Sequence, residues 1–225
     1  VIRRYGGKQE LWIAEIGYSD YVQENGSVSD WVRINAPYEK TQNFQAVTFI
    51  RSYSRIAATQ DVSVILWYEI KNLRLDSVAI GDVNNYFLGA LDHNYFPKPL
   101  WFAIASTKKL FEAPFKTIDN LLEVDKKDAL RPYYHAFKRK NGDVILLAWN
   151  RGLVNEEIEI SIPGNFSYAL SYSVTGEKNE IYLNQTDENV NFNLKLVPEN
   201  MHIIELFSDD VQSRLNIFNP RIVHK

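Results

Sequence analysis

The chain contains no cysteine, which removes disulfides and thiolate metal ligands from any account of its stability or chemistry. That absence leaves the compartment open between secreted and cytoplasmic. Histidine is scarce: His93, His135, His202 and His224 are scattered without metal-ligand spacing, so neither a metal nor a cofactor is expected. No apolar run approaches the roughly 20 residues that span a bilayer. The opening stretch VIRRYGGKQE does not resemble a signal peptide and reads like the tail of an element that begins earlier. Neither sign of charge dominates. With 25 Lys and Arg against 28 Asp and Glu, the net charge is -3, and the signs are interspersed, which argues against nucleic-acid or membrane partners. A Gly-rich phosphate loop, a nucleophile elbow and a Ser-His-Asp pattern are likewise missing.

What is present is apolar and aromatic. Of the 225 residues 45% are hydrophobic, enough for one large domain or two small ones. Aromatic residues make up 13%, with five Trp and thirteen Tyr; such rings stack on sugars, although cores use them more often. Sequons stand at Asn25, Asn165 and Asn184, a pattern common by chance and meaningful only in a glycosylating pathway.

The texture changes near residue 113. Before it, Leu11–Ile16 is a short apolar strand candidate, followed by a long loop from about Ser19 to Lys40. TQNFQAVTFIRSYSRIAATQ then spaces Phe44, Val47, Ile50, Tyr53 (or Ser54) and Ala57 as an amphipathic helix, with Thr41 as its N-cap. DVSVILWYEI, Asp61–Ile70, is almost continuously apolar, as for a strand covered on both faces. A second long loop, Lys71–Phe96, leads into a helix with Pro99 in its first turn. Strand, helix, strand, helix implies parallel neighbouring strands. Both long loops follow strand C-terminal ends, the edge where parallel α/β folds build sites. From Pro114 onward, short alternating segments take over: Tyr133–Arg139, Val144–Trp149, Glu157–Ile162, Tyr168–Val174, Glu180–Leu183, Val190–Leu196 and His202–Phe207. Turn signals at Asn141-Gly142, Pro163-Gly164 and Gly176 divide them, and the pattern reads as an antiparallel β-sandwich. The expected organisation is therefore an α/β part over 1–112, an all-β part over 113–207, and an unassigned tail over 208–225.

One residue is out of keeping with its surroundings. In ELWIAEIGYSD, Glu15 ends an apolar run just before Gly17, and burying an unpaired carboxylate is costly. Strict alternation would give it the face of Leu11 and Ile13, at the C-terminal edge of the strand. A Glu facing inward there would be partly desolvated and its acidity tunable. Position alone favours the plainer reading, a solvated strand-end charge.

A resemblance shifts that balance. LWIAEIGYS resembles the seventh strand of retaining (β/α)8 glycoside hydrolases with catalytic carboxylates on strands 4 and 7, families 39 and 5 being nearest in texture; Ala14 stands where Thr is usual. VTFIRSYSRIAAT is similar to the seventh helix of such barrels and VILWYEIKN to the eighth strand. NYFLGALDHNYFPKPLWFAIASTKKLF, with Asp92 and Pro97-Lys98-Pro99, is similar to the segment before the last barrel helix. The remainder, ending VPENMHIIELF, looks like the accessory β-sandwich. The resemblance implies the C-terminal portion of a TIM (β/α)8 barrel, strands 7 and 8 with their helices, followed by that sandwich. It implies that Glu15 is the nucleophile of a double displacement on β-linked sugars. Trp67 is a candidate sugar platform, level with a packing role, and Tyr18 and Trp31 are further candidates for the cleft wall. The charge of Glu69 is expected to meet Lys or Arg at the rim.

The same resemblance requires a second carboxyl group about 5–5.5 Å from the nucleophile, on an earlier strand. Too few residues precede Glu15 to supply it; Asn155-Glu156 imitates the motif but lies beyond the barrel. A complete barrel takes roughly 250 residues, so residues 1–112 are expected to need the N-terminal part of the barrel, or a partner chain, to close it. The expected partners are that polypeptide and an oligosaccharide, polysaccharide or glycoside. The competing reading is a non-catalytic carbohydrate-binding or assembly module derived from a glycosidase.

Overall fold

The structure, a computed structural model, describes residues 7–20, 42–74, 83–126, 133–150, 154–186, 188–198 and 200–208. Thr41, Trp31 and nearly all of the 208–225 tail lie outside them. The chain divides into two compact units, one running to Glu112 and the other starting at Ala113; Val174–Gly176 and Glu199–Met201 group with the first.

The first unit is α/β. Strands β1 (Leu11–Ile16) and β2 (Val62–Trp67) pair in parallel, as the strand–helix–strand order predicts. Between them runs helix α1 (Gln42–Ala58), and α2 (Pro99–Leu110) follows β2. Helix α1 forms where the three- and four-residue apolar spacing places it: Phe44, Val47, Ile50 and Ser54 are buried. It stops at Gln60, whose φ of 58° is the left-handed turn that commonly follows a helix; the Gln60 N–H donates to the Ala57 carbonyl at 3.1 Å. Helix α2 starts on Pro99 with no side-chain cap, because proline has no N–H to satisfy there. The expected loop 71–96 contains a 3₁₀ turn at Val83–Phe87 and short bridges from Leu91 to Lys71 and Pro97.

One expectation fails in β2. Its apolar run predicts cover on both faces, yet Leu66 is 48% exposed. The sheet has two strands among the described residues, and α1 meets it where Phe49 lies edge-on to Trp67. The run is apolar enough for a covered strand; the cover is not in the described chain.

The second unit is built of sheet. Strands β4 (Glu123–Lys126), β7 (Glu156–Pro163), β10 (Asn184–Gln185) and β11 (Asn189–Leu196) form one sheet in the order β10-β11-β7-β4, every pair antiparallel. Strands β3 (Phe115–Thr117), β5 (Tyr133–Arg139), β6 (Val144–Trp149), β8 (Tyr168–Tyr172), β9 (Lys178–Ile181) and β12 (Met201–Phe207) form a second, ordered β3-β5-β6-β12-β8-β9. The two sheets share one apolar core: Ile158, Ile160 and Phe192 from the first pack with Leu146, Ile204 and Leu206 from the second. Between β5 and β6, Gly142 has φ 92°, the conformation that calls for glycine in an Asn-Gly turn.

Strands β3 and β4 escape the sequence reading because β3 has three residues and β4 reads EVDK, with one apolar position. Short, charged edge strands protect a sheet from pairing with other chains, and the same property hides them from periodicity. Strand β9 begins two residues earlier than its pattern suggests, since pairing of Tyr172 with Lys178 sets its register and leaves Tyr182 98% exposed beyond its end.

Candidate functional site

The C-terminal ends of β1 and β2 lie side by side, with Ile16 opposite Trp67. Two glycines allow the segments beyond them to close up. A Cβ on Gly17 would lie 2.3 Å from the Tyr68 carbonyl oxygen, and one on Gly89 would lie 2.2 Å from the Asn72 nitrogen. Only glycine permits such backbone approach. The Tyr68 N–H donates to the Ile16 carbonyl at 2.8 Å, extending the ladder past both strands.

Glu15 does not take the face that alternation assigns it. The register of β1 on β2 shifts between Ile13 and Ile16, and both Ala14 and Glu15 are exposed while Ile13 and Ile16 are half-buried. A bulge of this kind re-aims a side chain. Among the described residues, Glu15 stands open at the strand end. No hydrogen bond or ion pair joins it to another described residue.

Trp67 is half-buried; its indole N–H donates to the Leu88 carbonyl at 3.2 Å, and its ring meets Phe49 edge-on with centroids 5.3 Å apart. These are packing contacts. Tyr18 is also half-buried, its ring edge-on to Phe44 at 5.7 Å, and burial pushes its hydroxyl up to about 12. Its carbonyl accepts a hydrogen bond from Gln45 Nε2 at 2.7 Å, and the same nitrogen donates to the Phe87 carbonyl at 3.1 Å. A buried glutamine on α1 thereby ties the segment after β1 to the return before α2. Trp31 lies outside the described residues.

Behind these residues is a polar cluster that the sequence reading passed over. Lys98 Nζ lies 3.1 Å from Asp20 Oδ2 and donates to Asn72 Oδ1 at 3.1 Å. Asn72 Oδ1 also accepts the Gly89 N–H at 2.9 Å. Burial lowers the Lys98 ammonium below the usual lysine range, and Asp20, followed by Asp92 and Glu69, pulls it back up. Glu69 has one carboxylate oxygen, Oε1, buried without a hydrogen-bond partner among the described residues. Burial raises its carboxyl, while Lys71 and Lys98 lower it. No local signal in the sequence marks Lys98 as buried.

The second unit offers less. A groove of about 390 Å³ runs beside β3 and β5, lined by Pro114, Phe115 and Ile118 together with Lys116, Lys138, Arg139 and Lys140; the charged groups along it are all cationic. His135 Nδ1 is 2.7 Å from Asp119 Oδ2, and Asp119 Oδ1 accepts the Ala136 N–H. That pair fastens a turn to β5. Among the described residues no group of three His, Cys, Asp or Glu could hold a metal. No described helix is long and apolar enough to cross a membrane.

Comparison with solved structures places this architecture among the glycoside hydrolases: the chain has the fold of part of such enzymes. A family 39 glycoside hydrolase from the gut symbiont Bacteroides cellulosilyticus WH2 superposes over 90% of the chain with a TM-score of 0.58 at 16% identity. Two family 30 enzymes follow. The subfamily 8 xylanase Xyn30A from Clostridium acetobutylicum covers 92% of the chain with a TM-score of 0.55 at 12% identity. The catalytic domain of xylanase C from Talaromyces cellulolyticus covers 90% with a TM-score of 0.53 at 14% identity. The chain spans 34%, 44% and 41% of these three structures respectively. Family 39 is one of the two that the sequence motifs resemble; family 30 is not. No family model and no curated protein matches the chain.

Proposed function

We propose that this chain is the C-terminal portion of a retaining (β/α)8 glycoside hydrolase with its accessory β-sandwich, acting on β-linked sugars, and that Glu15 is its nucleophile. The observation that carries the reading is positional. Glu15 stands exposed where β1 ends beside its parallel neighbour β2, in a chain whose fold is that of part of glycoside hydrolases. In such a mechanism the Glu15 carboxylate attacks the anomeric carbon as the leaving oxygen is protonated, and water then releases the glycosyl-enzyme ester. The proton comes from a second carboxyl group about 5–5.5 Å away, supplied by the N-terminal part of the barrel or a partner chain. That polypeptide also covers the open side of β2 at Leu66 and Tyr68, which are 48% and 40% exposed. Trp67, Tyr18 and Trp31 remain the candidate substrate-binding residues, Trp67 being also engaged by Phe49 and Leu88.

The test is covalent. Incubation of the full-length protein with 2-fluoro-β-glycosides should add one glycosyl group, mapped by peptide mass spectrometry to Glu15, and Glu15→Gln should abolish both label and turnover. Label on another carboxylate, with Glu15→Gln fully active, would remove the assignment. The alternative, a non-catalytic carbohydrate-binding or assembly module, draws on the exposure of Glu15 and on Phe96 and Tyr95, 68% and 65% exposed, the Tyr95 ring having the Lys71 ammonium over it. It predicts saturable sugar binding with no label at all.

A further inference from the structure

The polar cluster behind the strand ends contains a charge whose burial needs a reason. Lys98 is 2% exposed and the Asp20 side chain 5%. Replacing a buried ion pair with apolar groups of equal volume is often neutral or stabilising, so stability alone does not account for a lysine here. Its connections do. Through Nζ it holds Asp20, which follows β1, and Asn72, which follows β2. Asn72 in turn holds the N–H of Gly89. The backbone repeats the pattern: the Asp20 N–H donates to Phe87 at 3.2 Å and the Lys98 N–H to Ala90 at 3.0 Å. One ammonium thus joins three segments. Asp20 lies five positions after Glu15, and between them Gly17 is pressed against the Tyr68 carbonyl, so Glu15 has little independent play.

We propose that Lys98 is a positioning residue: through Asp20 and Asn72 it fixes the segment Gly17–Asp20, and with it the Glu15 carboxylate, against the end of β2. The catalytic purpose rests on the nucleophile assignment above; the mechanical tie does not. Both can be read in the full-length protein with Lys98→Met and Asp20→Asn. In Lys98→Met, the amides of Asp20 and Gly89 should exchange at least tenfold faster, while those of β5, β6 and β12 stay as protected as in wild type. The maximal rate of Glu15 labelling by a 2-fluoroglycoside should fall by about 10- to 100-fold, the scale expected for a displacement near 1 Å, with the reagent's binding constant little changed. A variant that merely unfolds more easily would lose none of this rate below its melting temperature. The double variant should be no slower than the slower single one, since both break the same tie. Unchanged exchange at Asp20 and Gly89, or unchanged labelling in a folded variant, overturns the proposal. If Lys98→Met does not fold, Asp20→Asn, which keeps the Asn72 contact, carries the same measurements. If the wild type is never labelled, the nucleophile assignment falls, and exchange alone then decides the tie.

Discussion

Two strands of six residues invite comparison. VILLAW, Val144–Trp149, is buried at every position, whereas VSVILW, Val62–Trp67, is buried at none and leaves Leu66 exposed. Their sequences are nearly alike. The first lies inside a six-stranded sheet that shares a core with a second sheet; the second pairs with one strand among the described residues. Apolar composition states what a strand can bury, and the number of neighbours decides what it does bury. The second unit completes its core within this chain. The first exposes large apolar side chains at Trp12 and Leu66 on its two strands and at Tyr68 and Ile70 just after the second.

That contrast can be broken or sharpened by experiment. The largest effect is expected where the second unit carries charge inside its frame. Arg139 pairs with Glu205, and the Tyr172 hydroxyl donates to the same carboxylate; Glu205→Gln removes the nearer of the two carboxylates at Arg139, leaving Asp143 at 3.8 Å, and should cost about 3–5 kcal/mol in denaturant unfolding. Next, Ile160→Ala, at a fully buried core position, should cost about 2–5 kcal/mol, whereas Leu66→Ser, measured on residues 1–225 without the covering polypeptide, should stay within about 0.5 kcal/mol. Equal losses at the two sites would show that β2 is covered within these residues. Third, Gly17→Ala sets a methyl group against the Tyr68 carbonyl and should cost about 1–3 kcal/mol, lowering the melting temperature of the first unit alone.

The smallest effect is electrostatic. His202, in the second unit, has its imidazole lowered below its ordinary range, chiefly by burial, against a backbone hydrogen bond with Lys195 that raises it. The folded form therefore holds His202 neutral where the unfolded chain begins to take up a proton. Its contribution is complete above about 6.5 and is lost as the pH falls through the lowered folded value. Unfolding measured between pH 7 and 5 should show a steeper decline for wild type than for His202→Asn; identical slopes would contradict the assignment.

Much of this was legible beforehand. The periodicity of Phe44, Val47, Ile50 and Ser54 marks the buried side of α1, and the Asn141-Gly142 turn marks the β5–β6 hairpin, because both signals are local. The site was legible in outline: Glu15 does end a strand beside a parallel neighbour. Its direction was not, since the register shift between Ile13 and Ile16 depends on how β2 lies against β1. The edge-on contact of Trp67 with Phe49 of α1 was likewise not legible, because it joins residues distant in sequence.

From residue order alone follow the helix faces, the alternating strands, the hairpin glycine and the parallel arrangement of β1 and β2, all properties that repeat within a few residues or follow from chain direction. Tertiary structure alone decided that Lys98 meets Asp20 and Asn72, that Glu15 is open, and that two similar apolar strands differ in burial. Those outcomes are set by residues distant in sequence, whose approach depends on strand register and on which neighbours are present, and no local pattern encodes either.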